Sequence, residues 1–67
     1  MSKLRDVRRM KGLKACELAR IVGVHASNFS MAENRKYVLG ADARIKIAEL
    51  LELPETKLFN SSGLARP

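Results

Sequence analysis

Apolar residues recur along this chain at helical spacing, in short stretches separated by glycine, proline and polar turns. Leu4 and Val7 share one face of a first helix, predicted over Lys3–Met10 and ended at Gly12. Leu18 and Val22, spaced i, i+4, define a second over residues 14–22, stopped by Gly23. Phe29 and Ala32 face inward on a third over Ala26–Glu33, and residues 34–40 read as a loop. A fourth covers residues 42–51, with Asp42 suited to its N-terminus and Ile47, Ala48 and Leu51 on its apolar face. Pro54 fits the first turn of a fifth short helix ending near Phe59. No stretch alternates with the period of a strand. Each helix carries one apolar stripe, so the expectation is all-α: five short helices around one core, a single domain over residues 1–59. Residues 60–67 are small and polar and are expected to form a flexible tail.

The most informative stretch is ACELARIVGVHASNFSMAEN, residues 15–34. Two helices joined tightly at Gly23 must cross steeply. Close approach needs a small residue at the crossing, which Ala19 supplies, and the turn needs a residue tolerant of positive φ, which Gly23 supplies. Leu18, Val22, Val24, Phe29 and Ala32 give both helices an inner face. This spacing is what a helix-turn-helix requires. KGLKACELARIVGVHASNFSMAEN resembles the helix-turn-helix of the phage lambda-repressor and Cro-like family, the XRE-type transcriptional regulators. LRDVRRMKGL looks like that family's first helix, and RIKIAELLELPETKLF like its fourth and fifth, so the likeness runs over residues 4–59.

The resemblance implies that the third helix lies in the major groove of double-stranded DNA, its N-terminal end toward base edges. The second would cross the backbone with its N-terminus aimed at a phosphate. By position, His25, Ala26, Ser27, Asn28 and Met31 would face bases, and Lys14, Ala15, Arg35, Lys36 and Tyr37 would meet phosphates. For Lys14 and Tyr37, ordinary solvent exposure is an equal alternative. Arg8 and Glu33 match positions where the family makes a structural ion pair between its first and third helices. Arg8 also stands where it can touch the DNA backbone.

Several positions depart from the family pattern. Ala15 stands where glutamine is usual, so only its backbone N–H is left to contact phosphate. The reading face has neither Arg nor Gln, the usual bidentate partners of guanine and adenine. Asn28 can pair with adenine, Ser27 and His25 can make single bonds, and Ala26 and Met31 offer apolar contact only, which predicts modest direct specificity. His25 reads better as a polar helix starter than as a pH switch. Phe29 and Ala32 are respectively larger and smaller than the usual residues, an exchange that keeps core volume. Arg35 stands where glycine is preferred; if a left-handed residue is needed there, Asn34 is expected to take that conformation. The stem of Arg44 is expected to pack beside Ile47 while its charge reaches solvent.

Composition narrows the possible functions. Thirteen basic and seven acidic residues give +6 on 67 residues, which favours a polyanionic partner. One cysteine excludes an internal disulfide, and Cys16 reads as an inert thiol. Cys16 and His25 are the only soft ligands, so no metal or cofactor is expected. No secretory signal is visible, and nothing approaches the roughly 20 apolar residues of a membrane span. A cytoplasmic protein is the expectation. One His, one Cys and no glycine-rich phosphate loop argue against an enzyme. The basic residues are scattered over several helices, which argues against a membrane-surface helix. Two readings remain: a sequence-specific DNA-binding regulator acting as a homodimer on a two-fold site, and a protein-interaction module on the same scaffold. Leu53, Leu58 and Phe59 are the candidates for a dimer surface, with the core as the competing assignment for each.

Overall fold

The computed structural model describes residues 2–67. Each helix starts and stops for a local reason. Helix α1 (Lys3–Met10) is capped by Ser2, whose hydroxyl accepts the Arg5 N–H. Helix α2 (Ala15–Val22) ends at Gly23, which adopts the left-handed conformation at φ 78° and returns its N–H to the last turn. Helix α3 (Ala26–Glu33) follows after two residues. Helix α4 (Ala41–Leu51) starts one residue earlier than expected, with Gly40 at the cap position, so Asp42 lies in the first turn. Its end is made by Glu52 in a left-handed conformation. Helix α5 (Glu55–Leu58) is a single turn, with Pro54 as its cap rather than its first residue.

The core is one cluster. Leu4 from α1, Leu18, Ala19 and Val22 from α2, Phe29 and Ala32 from α3, Ile47, Ala48 and Leu51 from α4, and Leu58 are all buried in it. Ala19 is buried on α2, the helix that packs against α3 and α4, and a larger side chain there would overpack the core. Phe29 and Ala32, the large and the small residue of α3, are both enclosed in this core. Leu58 and Phe59 are also buried, so both belong to the core; Leu53 stays half-exposed in a shallow apolar groove beside Val7 and Met10.

Three features differ from the expectation, through hydrogen bonds between residues far apart in the chain. Residues 60–67 do not hang free. Ala65 is 1% exposed and forms an antiparallel bridge with Phe59. The Arg66 N–H donates to Leu58 O and the Lys3 N–H to Arg66 O, which ties the segment to α5 and α1. Asn60 stabilises the turn, its side-chain oxygen accepting the N–H groups of Ser62 and Leu64. Arg35, not Asn34, takes the left-handed conformation, at φ 62°. Arg44 does not send its charge to solvent: its Nε donates to Glu55 and its Nη1 to Leu39 O.

Candidate nucleic-acid interface

The exposed end of α3 is prepared by an unusual cap. His25 precedes the helix in extended conformation, and its Nδ1 accepts the Ser27 N–H at 3.3 Å. The Ser27 hydroxyl lies 2.8 Å from the same nitrogen. With Nδ1 accepting, the ring N–H is on Nε2, so His25 starts the helix and keeps one N–H donor in reserve. Ala26, Ser27 and Met31 are exposed, and Asn28 is half-buried. No acidic residue occupies the first turn of α3, which leaves its positive dipole end uncompensated.

The flanks contribute charge. Lys14 precedes α2 and makes no side-chain cap bond, so the first-turn N–H groups of α2 are not satisfied from that position. Ala15 is half-buried against the core and presents little beyond its backbone. After α3, the Arg35 N–H bonds to Ala32 O and the Lys36 N–H to Met31 O, closing the helix end tightly. Lys36 and Tyr37 are both exposed in the loop that follows. Arg35 is exposed too, but its Nε donates to Ala65 O at 2.8 Å, so part of its guanidinium is already committed.

Behind this face α3 is pinned by charge. Arg8, 8% exposed, grips Glu33 with two donors, Nε at 2.5 Å and Nη2 at 3.1 Å, while its Nη1 donates to Leu13 O. Those contacts turn Arg8 inward to the α1–α3 joint. Arg5 completes the joint: it lies 3.6 Å from the Glu33 carboxylate and donates to the Asn34 side-chain oxygen at 2.6 Å. Sequence reasoning missed Arg5. The signal available was its place three residues before Arg8, on the same side of α1. Two guanidinium groups around Glu33 neutralise a carboxylate that would otherwise repel a phosphate backbone.

The arrangement is an exposed helix face with two flanking lysines, held from behind by the Arg8–Glu33 and Arg5–Glu33 contacts. Among the described residues no cluster of His, Cys, Asp and Glu could hold a metal ion, and no helix is long and apolar enough to cross a membrane. No curated protein and no solved structure matches the chain. A family model described as a helix-turn-helix domain matches residues 2–64, all five helices included. On that match the chain belongs to the helix-turn-helix domain family of DNA-binding transcription regulators, the kind found in XRE-type proteins.

Proposed function

We propose that this protein binds double-stranded DNA sequence-specifically, as a homodimeric repressor of the Cro type, with α3 in the major groove. The observation that carries the reading is the α3 face itself: exposed at its N-terminal end, free of acidic residues in its first turn, and pinned from behind by Arg8 and Arg5. In this reading Asn28 pairs with an adenine, His25 donates a single bond through Nε2, the Ser27 oxygen accepts one, and Ala26 and Met31 meet thymine methyl groups. Lys14, the Ala15 N–H, Lys36 and Tyr37 meet phosphates. Leu53, Val7 and Met10 are the surface we assign to the dimer, since Met10 is 84% exposed beside a shallow apolar groove.

Sparse readers predict that affinity rests mainly on phosphate contacts and DNA shape, with each base contact contributing about 1–3 kcal/mol of discrimination. Selection from random duplexes followed by titration across salt concentrations tests this. The expected result is a weakly two-fold site and a log–log salt slope of about −0.9 for each phosphate neutralised. No duplex binding at low salt would leave the alternative, a protein-interaction module. Its supporting feature is the exposed apolar set of Met10, Ile21, Ile45 and Leu50.

A further inference from the structure

The segment after α5 touches the loop after α3 at two independent points. The first is the Arg35 Nε bond to Ala65 O. The second is Gly63, at φ 87°, which lies so close to the loop that an added Cβ would sit 2.9 Å from Val38 Cγ1 and 2.6 Å from Arg44 Nη1. Arg44 in turn donates to Leu39 O in the same loop. A left-handed Arg35 is strained, whereas glycine adopts that conformation freely. What the arginine adds is reach: its side chain spans from the loop to a carbonyl 30 residues away.

We infer that residues 60–66 form a strap that positions the DNA-facing loop, with Arg35 as its latch rather than as a phosphate contact. The strap is fixed from behind by the Lys3 N–H to Arg66 O bond, the Arg66 N–H to Leu58 O bond and the Arg66 Nε bond to Thr56 O. Loop residues 35–39 are therefore held between the end of α3 and a docked segment. Lys36 and Tyr37 lie within that span, so their placement against a phosphate backbone depends on the strap. This inference rests on the DNA-binding reading for its functional part. Its structural part, that Arg35 holds the strap down, stands without DNA.

Two full-chain variants test it, each first checked for folding by circular dichroism. Arg35→Asn tolerates the left-handed conformation but cannot span to Ala65. Gly63→Ala loosens the strap through its Cβ and leaves Arg35 and the net charge intact. Without DNA, Arg35→Asn is expected to accelerate amide exchange at Arg66 and Asn60, whose N–H groups bond to Leu58 O and Leu64 O. Unchanged exchange there would overturn the latch, whatever the protein does with DNA. With a selected duplex, both variants are expected to weaken binding about fivefold, the scale of one net hydrogen bond, with the salt slope unchanged and the double variant no worse than either. A loss confined to Arg35→Asn, with the slope falling by about 0.9, would overturn the inference and make Arg35 a direct phosphate contact. Wild-type protein that binds no duplex would remove the DNA-binding reading, and the exchange result would then decide the latch alone.

Discussion

His25 caps a helix and is also one of the residues proposed to read bases. As a cap it satisfies a first-turn N–H of α3 through Nδ1, and in the proposed complex it offers Nε2 to DNA. The two roles separate by substitution. His25→Ala removes both, and should cost about 1 kcal/mol of stability, or roughly 4–8 °C in Tm for a domain of this size. His25→Asn keeps a cap oxygen, so its melting temperature should stay near wild type while duplex affinity falls. Equal destabilisation by Asn and Ala in thermal melts would show that the cap bond does not matter. The cap was partly legible in the sequence, because a polar residue before Ala26 is where a helix start is sought. Which nitrogen it uses was not, since that depends on Ser27 two residues on. Ser2 was legible in the same way, as a serine directly before the first periodic residue, yet it was not picked out.

At the scale of elements, the α2–α3 unit was readable because its determinants are local. Gly23 ends one helix by its own φ, Ala19 allows the crossing by its own size, and Phe29 and Ala32 repeat at one helical turn. The α1–α3 joint was readable only as a resemblance, since Arg8 and Glu33 are 25 residues apart. That joint should dominate stability. Arg8→Ala leaves a buried carboxylate with one weaker partner and is expected to cost about 3–5 kcal/mol, close to the whole stability of a small domain. Arg8→Met with Glu33→Leu should recover most of that loss in urea titrations, because the desolvation cost disappears with the charges. On the recognition side, Asn28→Ala and Lys36→Ala should fail in different ways. The first should relax preference at one base position by about 1–3 kcal/mol. The second should weaken all duplexes alike and lower the salt slope by about one phosphate. Competition between selected and scrambled duplexes distinguishes them, and a uniform loss from Asn28→Ala would remove it from the reading set.

Across the whole molecule, the +6 charge and the five-helix order follow from composition and punctuation, but the closure of the chain does not. Residues 60–67 lack any apolar period, and their order comes from carbonyls reached by Arg35, by Arg66 and by the Lys3 N–H. Such bonds leave no local trace, because the donor and acceptor can be any residues that the fold brings together. The same holds for Arg44, whose partners Glu55 and Leu39 O lie on α5 and in the loop before α4. Base-reading and phosphate-binding roles belong to the surface, where one sequence offers types and positions but no partner.

The bond from the Lys3 N–H to Arg66 O also has a consequence in time. It closes a loop of nearly the entire chain, whereas the contacts between α2 and α3 close loops of about ten residues. Chain entropy charges more for the longer closure, so the helical pair is expected to assemble early and the C-terminal segment to dock last. Docking last in a marginal domain also means detaching first, at a free energy below that of global unfolding. The rigidity of residues 35–39 is then borrowed from the least durable part of the protein. Brief openings at one end of the chain would be felt as hesitations at the other face, where the nucleic acid is expected to sit.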